Sequence, residues 1–91
     1  MPDGAAPPAT AYEQARRCLE IIVSALAEAG ATPEDVVRTR MFVTAPEHWD
    51  GVSRAHGEVF ASIRPASTCV VTQLLDPRWL VEIEADAILR S

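Results

Sequence analysis

The sequence predicts an α+β fold in which two helices form one layer on a small mixed β-sheet. Apolar residues recur every three or four positions in two segments, which is typical of amphipathic helices. Three further segments are rich in β-branched and apolar residues, and in the last of them apolar and acidic residues alternate as in a strand with one buried face. The predicted order is helix, strand, helix, strand, strand. With 91 residues, this order predicts a single domain over residues 1–91.

The first helix is predicted over residues 11–29. Thr10 and Glu13 have the spacing of a capping box, in which each side chain bonds the free backbone amide of the other residue. Gly30 supplies a C-terminal stop. Residues 1–9 are rich in proline and alanine and are predicted to be irregular. The apolar stripe of the helix comprises Ala15, Cys18, Leu19, Ile22, Leu26 and Ala29.

The next two elements are a strand over residues 36–44 and a helix over residues 46–61. The strand is expected to place Val37, Met41 and Val43 on one face. The apolar stripe of the helix comprises Trp49, Val52, His56, Val59, Phe60 and Ile63.

The last two strand segments, residues 67–75 and 80–89, are predicted to pair as an antiparallel hairpin. The short connection between them, residues 76–79, has the proline and aspartate that turns favour. A three-stranded sheet leaves unpaired backbone groups at two edges. We therefore expect either that another subunit covers those edges, or that the chain is missing strands that its relatives have.

Composition and charge exclude several classes of function. The net charge of −5 has the wrong sign for a protein that binds the phosphate backbone, so no nucleic-acid partner is expected. The longest mainly apolar stretch, residues 21–29, is about half of the roughly 20 residues needed to cross a bilayer, so no membrane span is expected. No secretory signal is recognised, which favours a cytoplasmic location. Cys18 and Cys69 are expected to be free thiols in a reducing compartment.

The C-terminal half of the chain contains three motifs: Pro65-Ala66-Ser67-Thr68-Cys69-Val70, Leu75-Asp76-Pro77 and Val81-Glu82-Ile83-Glu84-Ala85. Together they resemble the signature of the RidA/YjgF reactive-intermediate deaminases. The resemblance covers about residues 10–89 and implies a chorismate-mutase-like fold, a homotrimer with a central barrel of sheets, and ligand clefts between subunits. It also implies hydrolysis of 2-aminoacrylate-derived enamines and imines to 2-keto acids and ammonia, with no metal or organic cofactor.

The resemblance implies roles for three residues. Cys69 matches a cysteine whose backbone helps to place substrate and water, and Glu82 matches a glutamate that assists the water; these two are the candidate catalytic residues. Ser67 stands where the family has an arginine that binds the substrate carboxylate, so Ser67 and Cys69 are the candidate substrate-binding residues. Arginine makes a bidentate, charge-assisted contact and serine offers one neutral donor, so affinity for a small imino acid should fall steeply.

The family's N-terminal β-hairpin has no counterpart in this chain. Residues 1–4 resemble the turn that follows that hairpin, which suggests a reading frame that begins upstream of Met1. The prediction is therefore a RidA-like fold without its N-terminal hairpin.

The sequence leaves two functions open. The first is an enamine or imine deaminase whose substrate is not a simple amino-acid imine, because Ser67 replaces the carboxylate clamp. The second is a non-catalytic homotrimer of the same fold that binds a small metabolite. Ribonuclease activity is disfavoured by the net charge of −5.

Other polar residues have simpler interpretations than catalysis. His48 and His56 are eight positions apart, which is not the spacing of two ligands on one helical face, so no metal site is predicted and His56 is expected to be packed and hydrogen-bonded. Arg40, with Arg38, is assigned to a solvated or salt-bridged face rather than to anion binding. Glu84 could pair with Glu82 for acid–base work, and a solvated edge charge is the more common situation.

Overall fold

The computed structural model describes residues 8–89. Of the segment predicted to be irregular, residues 1–9, the first seven lie outside the described part, and residues 8 and 9 form neither helix nor strand. The observed element order confirms the predicted one. Short 3-10 turns precede the first strand and the second helix. The elements are α1 (Ala11–Glu28), β1 (Val36–Val43), α2 (Trp49–Phe60), β2 (Ala66–Val71) and β3 (Val81–Ala87).

Both ends of α1 follow from local sequence. The Thr10 hydroxyl oxygen accepts a hydrogen bond from the Glu13 amide at 3.1 Å, and the same hydroxyl donates to the Glu13 carboxylate at 3.0 Å. At the other end Gly30 has a φ of 82°, a left-handed conformation that glycine adopts without steric strain. The Ala31 amide then reaches the Leu26 carbonyl at 2.8 Å and closes the helix as in a Schellman motif.

The sheet has β1 at its centre. Its order is β2-β1-β3, with β2 parallel and β3 antiparallel to β1. The predicted hairpin between the last two strands is therefore wrong, because they lie on opposite sides of β1. The crossover through α2 returns the chain parallel to β1, and residues 72–80 then carry it across two strand spacings of roughly 5 Å each to the far edge. The observed mixed sheet under two helices confirms the predicted fold class.

One face of this sheet packs against both helices. β1 contributes Met41 and Val43 to the core as predicted, but Val37 is 42% exposed. The register of β1 against β3 shifts between Val36 and Arg38, and this irregularity turns Val36 inward in place of Val37. Trp49 is also largely exposed, against the prediction. The remaining buried apolar core comprises Ala15, Leu19, Val52, Ala55, Phe60, Val81 and Ile83.

A buried glutamine connects α1 to two loops. Gln14 is 1% exposed, and its side-chain amide donates to the main-chain oxygens of Pro8 at 2.9 Å and Arg78 at 3.1 Å. Its side-chain oxygen accepts from the Leu80 amide at 2.7 Å. The connection from β2 to β3 is thus held on α1 by side-chain hydrogen bonds. Within residues 8–89, neither helix combines the length and apolar character that a membrane crossing requires.

The crossing of α1 and α2 depends on a close approach at Gly51. A Cβ atom there would lie 3.0 Å from the Tyr12 amide nitrogen and 3.1 Å from the Tyr12 Cβ. Tyr12 is itself held, because its hydroxyl donates to the Glu58 carboxylate at 2.7 Å and the Arg54 guanidinium lies 4.0 Å from its ring centroid. We expect Gly51→Ala to lower the free energy of unfolding by about 1–3 kcal/mol through overpacking.

Gly57 on the same helix provides the matched control for this prediction. A Cβ atom there meets nothing within 4 Å, so Gly57→Ala should raise the free energy of unfolding by about 0.5–1 kcal/mol through helix propensity. Chemical denaturation of the two variants measures the difference. Equal effects of the same sign would contradict the close helix crossing.

The role of Gln14 is testable in the same way. Gln14→Leu leaves one buried amide and two carbonyls without their side-chain partner, and each such group costs about 1–3 kcal/mol when it stays buried. We expect a clear loss of unfolding free energy and faster proteolysis of residues 72–80. Gln73→Leu, at an exposed glutamine, is the control and should leave stability nearly unchanged.

Candidate functional site

Ser67 and Cys69, the two motif residues on β2, face the helix-covered side of the sheet. The parallel register places Ser67 beside Thr39 and Cys69 beside Met41. Thr39 is 0% and Met41 is 1% exposed, so both belong to the covered face. Directly opposed residues of neighbouring strands share a face. Ser67 itself stays exposed and Cys69 is half-buried, because β2 is an edge strand.

The main chain of the same two residues points to the open edge of β2. The Thr72 amide donates to the Val43 carbonyl at 2.9 Å, which directs Thr72 toward β1. Residues at alternate positions in a strand direct their amides and carbonyls to the same side. Ser67 and Cys69 are an odd number of positions from Thr72, so their amides and carbonyls point to the other side, away from β1. This edge can bind an extended ligand or another strand.

Two hydrogen bonds connect Ser67 on β2 to His56 on α2 by way of Thr39 on β1. The Thr39 hydroxyl lies 2.9 Å from Ser67 Oγ and 2.9 Å from His56 Nε2. Ser67 Oγ also lies 3.2 Å from the Pro65 carbonyl, to which it can donate. The His56 ring packs against Phe60, with ring centroids 4.8 Å apart. This geometry confirms the expectation of a packed, hydrogen-bonded histidine and adds Thr39, which sequence reasoning missed.

Burial sets the protonation of the titratable groups near this face. Burial lowers the pKa of His56, so its imidazole is neutral at pH 7 and one ring nitrogen can accept a proton. Burial raises the pKa of the Cys69 thiol, which therefore stays protonated at neutral pH and is a poor nucleophile. The chemistry available at Cys69 thus lies in its main chain.

Glu82 occupies a different part of the molecule. It alternates with Val81 and Ile83, which are 1% and 8% exposed against the helices, so its side chain belongs to the other face of β3. With Cys18 and Trp79 it lines a groove of about 520 Å³ along the outer edge of β3. Burial, and then the Glu82 carboxylate, raise the pKa of the Cys18 thiol.

The structure therefore brings together some of the predicted site residues and separates another. Ser67 and Cys69 share one strand and one face. Glu82 is two strands away, which is roughly 10 Å across the sheet, and on the opposite face. Within one chain, Glu82 and Ser67 cannot contact the same small ligand.

Arg40 and Glu84 form an ion-paired cluster. Arg40 donates to Glu84 at 3.2 Å and to Asp86 at 3.1 Å, and these hydrogen bonds, with that to Asp86 first, raise the pKa of its guanidinium. This confirms the salt-bridged face expected for Arg40. Among residues 8–89, no three His, Cys, Asp or Glu side chains gather closely enough to hold a metal ion.

The lowered pKa of His56 predicts a pH dependence of stability. The unfolded chain binds a proton at His56 near pH 6.5, whereas the folded chain does so only at lower pH. The stabilisation is therefore fully present above about pH 6.5 and is lost as the pH falls toward the folded pKa. We expect His56→Gln to flatten this part of the unfolding free-energy curve and His48→Gln to leave it unchanged. Equal slopes in both variants would contradict the prediction.

Comparison with known proteins places the chain among longer relatives. It is 42% identical over 77 residues to the uncharacterized protein SCO2049 of Streptomyces coelicolor, covering 84% of this chain and 58% of that protein. This chain thus spans somewhat more than half the length of that relative.

Solved structures show the same fold. Rv2704 of Mycobacterium tuberculosis, a member of the YjgF/YER057c/UK114 family, superposes with a TM-score of 0.86 at 46% identity, covering 90% of this chain and 70% of that one. NMB1025 of Neisseria meningitidis, a YjgF family member, gives a TM-score of 0.87 at 29% identity, covering 92% of this chain and 71% of that one.

A family model confirms the resemblance found in the sequence. The model described as Endoribonuclease L-PSP matches residues 2–89, nearly the whole chain. Two helices on a mixed three-stranded sheet are what this chain shares with the solved members. The chain belongs to the Endoribonuclease L-PSP family, which is the YjgF/RidA family.

Proposed function

We propose that this protein is a homotrimeric enamine or imine deaminase whose site lies at the open edge of β2 and is completed by a neighbouring subunit. The observation that carries the proposal is the placement of the motif residues. Ser67 and Cys69 direct their main chain to an open edge, while Glu82 lies on the opposite face, at the other side of the sheet. A site that uses all three residues therefore requires two chains.

The chemistry of the proposal is a hydrolysis without a cofactor. Water adds to the imine carbon, and one of its protons moves to the nitrogen to form a carbinolamine. The hydroxyl proton then moves to the nitrogen as well, and the C–N bond breaks to release ammonia and a keto compound. The Glu82 carboxylate of the partner subunit would assist the water as a general base. The main chain of Cys69 would hold the substrate at the edge of β2.

Ser67 sets the class of substrate. Its hydroxyl carries no charge and is already within hydrogen-bond distance of Thr39 and the Pro65 carbonyl. It offers little to a carboxylate, which a guanidinium would bind with two charge-assisted bonds. The substrate is therefore an imine or enamine without a carboxylate beside the reacting carbon. A cytoplasmic location, in keeping with two free cysteines, is part of the proposal.

The alternative is a homotrimer that binds a small metabolite without turning it over. The observation that favours it is the absence of a cationic side chain at position 67, because a weakly anchored substrate loses the positioning on which hydrolysis depends. Binding of a carboxylate-free imine analogue without release of ammonia would distinguish this function from the first.

The first measurement is native mass by light scattering. Three 9.9 kDa chains should give about 30 kDa, and a monomer would contradict the intersubunit site. Ammonia release is then measured with 2-iminopropanoate and with a carboxylate-free imine of similar size. We expect wild type to prefer the carboxylate-free imine, and Ser67→Arg to shift the preference toward 2-iminopropanoate by about tenfold or more.

Two carboxylate variants test the base. Glu82→Gln should lower kcat about 100-fold on either imine, and Glu84→Gln, on the same face of the same strand, should keep most of the activity. Similar losses in both would contradict the role of Glu82. A folded trimer in which Ser67→Arg leaves the ratio of the rates on the two imines unchanged would overturn the role assigned to the missing arginine.

A further inference from the structure

A buried threonine joins an exposed serine to a histidine on the opposite layer. Thr39 is 0% exposed, Ser67 is exposed and His56 is half-buried, so the buried threonine connects a half-buried imidazole to a residue at the surface. Both links are 2.9 Å long. The other residues at buried positions of β1 are apolar, so Thr39 is the polar exception on that face. Its hydroxyl has a partner on each side.

The hydrogen bonds among Ser67, Thr39 and His56 can form with their donors pointing in either of two directions. In the first, Ser67 donates to Thr39, Thr39 donates to His56 Nε2, and the imidazole carries its proton on Nδ1. In the second, His56 Nε2 donates to Thr39, Thr39 donates to Ser67, and Ser67 donates to the Pro65 carbonyl. The Thr39 hydroxyl donates one hydrogen bond and accepts one in both directions, and in the first direction Ser67 Oγ is left able to accept a proton from a bound molecule. Passing one proton along the chain converts the first arrangement into the second.

We infer that Ser67, Thr39 and His56 form a proton relay in which His56 stores a proton taken from, and returned to, the molecule bound at Ser67. The inference rests on the proposed function for the identity of that molecule. Ser67 is the catalytic residue of the relay, because only its hydroxyl is exposed to a ligand. Thr39 and His56 act through it and are positioning residues.

The proton balance of the step is closed. Water adds to the imine carbon, and its first proton would reach the nitrogen through Glu82 of the partner subunit, which gives a carbinolamine. The O–H bond of the carbinolamine then breaks, and this second proton passes to Ser67 Oγ. The Ser67 proton moves to Thr39 and the Thr39 proton moves to His56 Nε2, which becomes an imidazolium. The reverse passage delivers this second proton to the carbinolamine nitrogen, and the C–N bond then breaks to release ammonia and the carbonyl product. Over one turnover the relay gains and loses one proton.

Two observations favour His56 as the proton store on this face. Its imidazole is neutral at pH 7 because burial lowers its pKa, so it can accept a proton. The other motif acid, Glu82, lies on the opposite face of the sheet in the same chain. The relay therefore transfers a proton at the end of the substrate that is bound at Ser67. Glu82 of the partner subunit would transfer a proton at the other end.

The hydrogen-bonded chain is tested first by nitrogen-15 NMR of histidine-labelled full-length protein. The protein has two histidines, and His48 is the internal reference. We expect Thr39→Val and Ser67→Ala both to shift the Nε2 resonance of His56, and Thr39→Ser to leave it near its wild-type position. The His48 signals should not move. If the Nε2 resonance of His56 does not shift in Ser67→Ala, the relay is overturned, whatever the activity.

Kinetics with the carboxylate-free imine test the transfer itself. Thr39→Val and His56→Gln should lower kcat about 100-fold with KM nearly unchanged, since positioned proton transfer contributes about that much. Thr39→Ser keeps the hydroxyl and should stay within about threefold of wild type. If Thr39→Ser loses as much as Thr39→Val, the residue acts through packing and the relay is overturned.

The two proposals fail in different ways. An inactive wild-type trimer whose His56 signal still responds to Ser67→Ala and Thr39→Val overturns the deaminase and supports the connection from Ser67 to His56. An active wild type whose rate is unchanged in Thr39→Val and His56→Gln overturns the relay and supports the deaminase.

Discussion

The pairing of β1 on both of its edges is the constraint on which the rest of this structure depends. β1 is parallel to β2 and antiparallel to β3, so its register assigns a face to every residue of both neighbours. That register places Ser67 beside buried Thr39, and it places Glu82 beside Phe42 on the other face. The same pairing leaves β2 and β3 as the outer strands of the described sheet.

The outer strands are the reason that the proposed site and the proposed assembly belong together. Open strand edges expose amides and carbonyls that bind water, a ligand or another strand, and proteins commonly cover them. Here the edge of β2 carries the motif residues, and the edge of β3 borders a groove with an acidic residue and two half-buried ones, Cys18 and Trp79. A second copy of the chain would bring these two kinds of edge into one cleft, and the same contact would protect both from aggregation.

Buried polar side chains specify this small core more than its apolar residues do. Gln14 hydrogen-bonds three main-chain groups, and Thr39 links two layers through one hydroxyl. Apolar contacts are tolerant of small shifts, whereas a hydrogen bond in a low-dielectric interior is lost with a change of a few tenths of an ångström. These two residues thus determine how the loops and α2 sit on the sheet.

The sequence by itself determined the elements and their order, because helical and strand periodicity and capping are local properties of the chain. Its resemblance to a known family identified the motif residues. Local periodicity says nothing about which strands are neighbours, so the hairpin expected between the last two strands was wrong and the inward turn of Val36 was not foreseen. Thr39 stood on the correct strand as a polar exception, but its partners are 17 and 28 positions away. Only the tertiary structure decided that Ser67 is linked to His56 through Thr39 and that Glu82 lies on the opposite face, because strand order and register are set by packing across the whole domain.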